Sequence, residues 1–270
     1  MYLDVKDIDF AGTIEMGQLF MYEKLSENEY VVHSENYICL VKVHSKFNST
    51  LISDNVPFWK EYFNLNKDIE SINKYLFEDC LRKNDNFGVK SILGSPGIQI
   101  CHQPYLETCI EYILSAQNNV NRIRKSMLEL LKFGTEMYDA SADIKYRAFP
   151  TIKQLKNLTI NDFLSIGAGF RAKYLYEFAQ NFSEPEYSFD TVPTEKLLNN
   201  LMKIKGIGIK VASCIALYAC EKYDVFPEDV WIKKIIQEKY NGNFIKPEKY
   251  AGILQVYLYY FARKIDSTLA

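Results

Sequence analysis

The stretch LMKIKGIGIKVASCIALYAC, Leu201–Cys220, decides the fold. A helical pattern over 194–203 runs into Gly206 and Gly208, and a second, apolar helix is expected over 210–222. Two helices joined through Gly206-Ile207-Gly208 make a tight hairpin, expected over about 194–222. Glycine permits φ > 0 and lets another backbone come close. The free N–H groups and positive dipole end of the second helix then form an anion site suited to a phosphate. Such a turn can equally be a plain connection, and Lys210 a plain surface lysine.

Working outward, VFPEDVWIKKII (Val225–Ile236) puts Pro227 just ahead of a helix expected over 228–240, with Asp229 in its first turn. A helix N-terminus favours a carboxylate there. If the helices 210–222 and 228–240 pack antiparallel, the returning chain brings Asp229 towards the end that carries Lys210. A cation and an anion then share the mouth of a cleft. The bland alternative is a surface lysine and an acid that merely starts a helix.

The rest of the chain frames this pair. Its 270 residues are 48% hydrophobic and 14% aromatic, with 20 Tyr and 17 Phe, which fits a folded protein of one large or two smaller domains. No run approaches the ~18 apolar residues of a membrane span. The opening MYLDVKDIDF carries acids where a secretory signal carries bases, so a cytoplasmic protein is expected. Cys39, Cys80, Cys101, Cys109, Cys214 and Cys220 form no CxxC pair, and there are only three histidines. Zinc and disulfide frameworks do not fit this pattern, and neither a metal nor a cofactor is implied. The cysteines read as buried apolar thiols. A net charge of −2 argues against nucleic acid, but residues 1–40 carry −6, which leaves +4 for the remainder and room there for a basic face.

The fold class expected is α+β. EYVVHSENYICLVKV (Glu29–Val43) reads as two strands around an SEN turn, so the first third is expected to hold an antiparallel sheet. From VPFWKEYFNLNKDIESINKYLFEDCL (Val56–Leu81) the period becomes helical, with Ile69, Ile72, Tyr75 and Leu76 on one face. From about residue 105 the chain reads as helix after helix: 106–117, 119–133, 160–166, 171–182, 194–203, 210–222, 228–240 and 247–264. GSPGIQ (Gly94–Gln99) marks the expected boundary between a sheet domain, 1–96, and a mostly helical domain, 97–270.

The hairpin followed by VFPEDV resembles the helix-hairpin-helix superfamily of DNA glycosylases, in which a hairpin of this form precedes a lysine nucleophile and an aspartate follows about one helix later. Lys205 departs from the Pro or Leu often found at the first turn position. MGQLF (Met16–Phe20), ILSAQNNVNRI (Ile113–Ile123), IGAGFRAKYL (Ile166–Leu175) and YAGILQVYLYYFA (Tyr250–Ala262) narrow the resemblance to the 8-oxoguanine glycosylase/AP lyase branch, over nearly the whole chain. Related branches usually carry a four-cysteine iron–sulfur loop after the aspartate; no cysteine follows Cys220 here.

The resemblance implies a bifunctional enzyme and a partner in duplex DNA containing 8-oxoguanine. Lys210 would displace the base, form a Schiff base and cleave the strand by β-elimination, with Asp229 stabilising the positive sugar. The backbone carbonyl of Gly17 would accept from N7–H, the donor that guanine lacks. Gln255 matches the reader of the Watson–Crick edge, and a polar residue in that apolar helix also needs a partner on its own account. Cys214 and Tyr259 match the residues flanking the base, Tyr259 standing where Phe is usual. Gln117, Asn118, Asn119, Arg122 and Arg171 are assigned to the opposite strand, with Phe170 as wedge. Lys205, Gly206, Gly208 and Trp231 are assigned to phosphate. Gln117 stands for the usual Asn, Trp231 for a His and Ala262 for an Asp. Against this stand a glycosylase for alkylated purines and a non-catalytic DNA-binding hairpin. One active site on one chain gives no reason to require more than a monomer.

Overall fold

The computed structural model describes residues 1–185 and 188–265. Its architecture is α+β, as expected: a five-stranded antiparallel sheet followed by a helical assembly. The strands are β1 (Tyr2–Lys6), β2 (Tyr22–Ser26), β3 (Glu29–Ser34), β4 (Tyr37–Ser45) and β5 (Asn48–Ile52), in the order β1-β5-β4-β3-β2. The expected hairpin is β3–β4, with Glu29 opposite Lys42 and Ser34 opposite Tyr37. Glu35 turns the corner at φ 49°. One face of the sheet buries Tyr30, Val32, Cys39 and Val41 against Phe10 and Ile14 of α1 (Phe10–Glu15) and Trp59 and Tyr62 of α2 (Val56–Tyr62).

The other face corrects one expectation. The chain is not helical throughout after residue 105, because β6 (Glu136–Asp139) and β7 (Ile144–Arg147) form an antiparallel hairpin. Ile144 and Tyr146 cover Val31, Ile38 and Leu40, so a ribbon from the second half of the chain completes the packing of the first. Asp139 fixes it in place, accepting from Ala142 N and from Asp54 N, each at 2.8 Å. The alternation of IKYR is the signal that carries it.

The helices are α3 (Ile69–Arg82), α4 (Asn86–Gly94), α5 (Tyr105–Leu114), α6 (Val120–Leu130), α7 (Ile152–Lys156), α8 (Ile160–Ser165), α9 (Ala172–Asn181), α10 (Thr194–Leu201), α11 (Ile209–Tyr218), α12 (Val230–Tyr240) and α13 (Ala251–Ile265). Their ends follow capping chemistry: Asn119 accepts from Arg122 N to start α6, and Asp229 from Ile232 N to start α12. Both residues are therefore caps one position outside their helices. Two helices form the interior, α5 buried from Glu107 to Leu114 and α11 from Val211 to Tyr218. Ile72 and Leu76 of α3 and Ile92 of α4 join this same core, and Ile69 and Tyr75 pack against it. All six cysteines are buried. Among the described residues no helix is long and apolar enough to cross a membrane.

Candidate active site

The two hairpin glycines play different parts. Gly206 has φ +90°, and a Cβ there would lie 2.9 Å from the Tyr174 side chain, so conformation and space both require glycine. Gly208, expected to share that freedom, has an ordinary φ of −91° and is the N-cap of α11, with no side-chain cap. A Cβ at Gly208 would meet nothing within 4 Å. The first N–H groups of α11 therefore lack a side-chain acceptor, the arrangement that suits an external anion. Beside them, Lys205 pairs with Glu177 at 2.9 Å, and Trp231 lies exposed in the first turn of α12.

Lys210 follows in the first turn of α11, half-buried. Its Nζ donates to Ser115 Oγ at 3.2 Å and stands 5.3 Å from the centre of the Tyr112 ring. Ser115, just past α5, donates in turn to the Tyr112 carbonyl at 2.8 Å. The Tyr112 ring stacks on Tyr218 of α11, centroids 5.7 Å apart and only 5° from parallel. The end of α5 thus offers the amine both an acceptor and a π face. Ser115, Tyr112 and Tyr218 were not singled out from the sequence, although Ser115 lies inside ILSAQNNVNRI and Tyr112 one turn before it.

Among the described residues no ion pair joins Lys210 to Asp229; the carboxylate is occupied at its cap, 2.8 Å from Ile232 N. What the two share is Cys214, one turn after Lys210. Burial pushes the Cys214 thiol up to about 11, while the Lys210 charge pulls it down and the Asp229 charge pushes it further up. At neutral pH it is a neutral thiol. Burial also raises Tyr259 and Tyr218, and Asp229 adds to both. One carboxylate therefore acts on Cys214, Tyr218 and Tyr259 together, which places α11, α12 and α13 around one site.

On α13, Gln255 and Tyr259 stand one turn apart and so on one face. Gln255 is 7% exposed and its Oε1 has no hydrogen-bond partner among the described residues. Gly17 comes up against this face: its φ is +100°, and a Cβ there would meet Val120 Cγ2 at 3.3 Å and Tyr259 Oη at 3.8 Å. Arg263, also not singled out from the sequence, donates to the Met16 carbonyl at 3.2 Å.

The remaining residues gather on a neighbouring turn. Gln117 is exposed at φ 49°, and its carbonyl accepts from Arg171 Nη2 at 2.7 Å. Arg171 also donates from Nε to Ala116 O at 2.6 Å and from Nη1 to Ala168 O at 3.2 Å. Its guanidinium is largely spent on backbone in this structure, where the sequence assigns it to an opposite base. Burial, then the charge of Arg122, lowers its pKa. Asn118 likewise turns inward, donating to Leu114 O at 3.0 Å and accepting from Asn119 N. Phe170 projects from the surface at 56% exposure, with the Arg171 guanidinium 4.4 Å from its ring centre.

No protein-family model matches the chain. It is 28% identical over 204 residues to the N-glycosylase/DNA lyase of Saccharomyces cerevisiae, covering 69% of this chain and 53% of that protein. It is 26% identical over 167 residues to the N-glycosylase/DNA lyase of Arabidopsis thaliana, covering 59% and 45%. The chain thus spans about half the length of the curated relatives it matches. Among solved structures, the Clostridium acetobutylicum 8-oxoguanine glycosylase/lyase, in complex with double-stranded DNA containing cytosine opposite 8-oxoguanine, is similar at a TM-score of 0.83 and 26% identity, covering 98% of each chain. The 3-methyladenine glycosylase of Archaeoglobus fulgidus, at TM-score 0.75 and 15% identity over 98% of this chain and 99% of that one, shares the fold alone. In sequence and over its whole fold the chain is therefore similar to N-glycosylase/DNA lyases and to a solved 8-oxoguanine glycosylase/lyase.

Proposed function

We propose that this protein removes 8-oxoguanine from duplex DNA and then cleaves the abasic strand, as a monomer working on the genome. The observation that supports it most is the buried, unpartnered Oε1 of Gln255, on the face of α13 shared with Tyr259. An unpaired buried acceptor costs about 1–3 kcal/mol, and the Watson–Crick edge of 8-oxoguanine supplies the N–H donors that satisfy it. Flipping the nucleotide costs roughly a few kcal/mol; the pocket offsets this by stacking between Cys214 and Tyr259 and by the Gly17 carbonyl, which accepts from N7–H and repels the lone pair that guanine has there.

Lys210 Nζ, as the free amine, attacks C1′. The C1′–N9 bond breaks as the C1′–Nζ bond forms, and the departing base takes up a proton. Ring opening gives the imine. Loss of a C2′ proton then breaks the C3′–O bond and frees the 3′ strand. Asp229 stabilises the positive sugar while the helix N-terminus holds its charge in place. Phe170 fills the gap left by the flipped base. Gln117 and Arg122 meet the opposite base, and the turn that presents Gln117 is braced by Arg171, Asn118 and Asn119. The α11 N–H groups behind Gly206 and Gly208, with Lys205 and Trp231, receive phosphate.

Borohydride trapping on duplexes with one 8-oxoguanine or one guanine, opposite each of the four bases, tests this. A covalent adduct on 8-oxoguanine alone, lost in Lys210→Gln, is the expected result. Intact DNA binding without any adduct overturns the lyase, and release of alkylated bases in preference to 8-oxoguanine overturns the substrate.

A further inference from the structure

Gly17 is held from two sides, and the two differ in kind. On the inner side, buried Gln18 donates to Gln99 O at 2.8 Å and Thr13 O at 3.2 Å, and accepts from Cys101 N at 3.0 Å. Gln103 Nε2 closes the clasp on Gln18 O at 2.9 Å. On the pocket side stands Arg263, half-buried in the last turn of α13 and one turn after Tyr259. Its Nη1 donates to Met16 O at 3.2 Å and to Tyr259 Oη at 3.5 Å, and its guanidinium lies 5.5 Å from the Tyr259 ring centre. A Cβ on Gly17 would come within 4.0 Å of that same nitrogen. The hydroxyl that receives Arg263 is the group by which Tyr259 departs from the usual phenylalanine, so the two residues form one unit.

We propose that Arg263 is a positioning residue for base discrimination: by tying the Met16–Gly17 segment to Tyr259, it fixes the Gly17 carbonyl against the base and sets the preference for 8-oxoguanine over guanine. The inference rests on the base-reading role of Gly17 proposed above. Telling N7–H from an N7 lone pair depends on distance and angle, because a hydrogen bond weakens steeply once misaligned. Gly17 has no side chain to anchor it and sits at a φ where the backbone is most permissive. A planar guanidinium that reaches carbonyl and hydroxyl together is the group that removes this freedom.

The test compares single-turnover base release from 8-oxoguanine and guanine duplexes with strand cleavage at a preformed abasic site, which needs Lys210 but has no base to read. Wild type, Arg263→Met, Arg263→Lys and Tyr259→Phe are compared. The ratio of 8-oxoguanine release to abasic cleavage is expected to fall about tenfold in Arg263→Met, one net hydrogen bond's worth. Preference over guanine falls with it, and Arg263→Lys and Tyr259→Phe lose less, since each keeps one of the two ties. A parallel loss of both activities, or an unchanged ratio in both Arg263 variants, overturns the proposal. Wild type that cleaves abasic sites but releases no 8-oxoguanine overturns instead the reading of function, before any Arg263 variant is compared.

Discussion

Two buried glutamines, Gln18 on the Gly17 segment and Gln255 on α13, differ in how their amides are satisfied. Gln18 is 1% exposed and both ends of its amide are bonded, the nitrogen to the Gln99 and Thr13 carbonyls and the oxygen to Cys101 N. Gln255 is 7% exposed and its oxygen accepts no hydrogen bond from the described residues. The first is an internal strut that shapes the loop carrying Gly17. The second leaves its acceptor unpaired within a largely apolar helix, a cost in the free protein that a bound base would offset under the proposed function. The same contrast recurs on α5, where Glu107 accepts from Ser34 Oγ at 2.8 Å and from Glu35 N, while Glu111, one turn on, has an Oε2 unpaired among the described residues.

The sharpest way to break the comparison is to remove the strut. Gln18→Leu strands Gln99 O and Cys101 N in the interior, and should cost about 3 kcal/mol or more of stability in urea unfolding. A loss below about 1 kcal/mol would mean that the loop does not need its clasp. The next effect is a pH dependence. Burial, opposed by the bonds from Glu35 N and Ser34, pushes the Glu107 carboxyl up to about 8, and burial with the Glu107 charge raises Glu111 well above its ordinary value. The unfolded chain releases the Glu107 proton near pH 4.5 whereas the folded chain holds it to about pH 8, so the folded state binds more protons across that window and stability falls as pH rises through it. At about 1.4 kcal/mol per pH unit the fall should approach about 5 kcal/mol across the window and flatten in Glu107→Gln. A slope that persists in that variant would assign the effect to another group.

How much of this was legible beforehand follows physical lines. The glycine hairpin, the helices around it and the β3–β4 hairpin could be read because local periodicity and turn chemistry specify them. The β6–β7 ribbon was missed since its four-residue strands are individually weak signals, and only the far sheet face they cover gives them a reason to form. At the site, Lys210, Asp229, Gly17, Cys214 and Tyr259 could be listed together from the resemblance, and the structure brings them to one place. Their connections could not be read. That Lys210 bonds Ser115 rather than Asp229, and that Arg171 is spent on carbonyls, depends on how α5, α9 and α11 meet in space.

The smallest change in stability belongs to Gln255, and it is the one that closes the comparison. In Gln255→Leu the stranded acceptor disappears and its oxygen leaves no hydrogen-bond donor unpaired among the described residues, so the free protein should change by less than about 1 kcal/mol, in the stabilising direction. Base release should nevertheless fall about thirtyfold, the equivalent of about 2 kcal/mol of transition-state stabilisation, while cleavage at a preformed abasic site, which has no Watson–Crick edge to read, falls far less. Urea unfolding and single-turnover release on one preparation measure both. If Gln255→Leu instead destabilises the free protein as strongly as Gln18→Leu, its oxygen has a structural partner in solution, and the distinction between strut and reader fails at the residue that carries it.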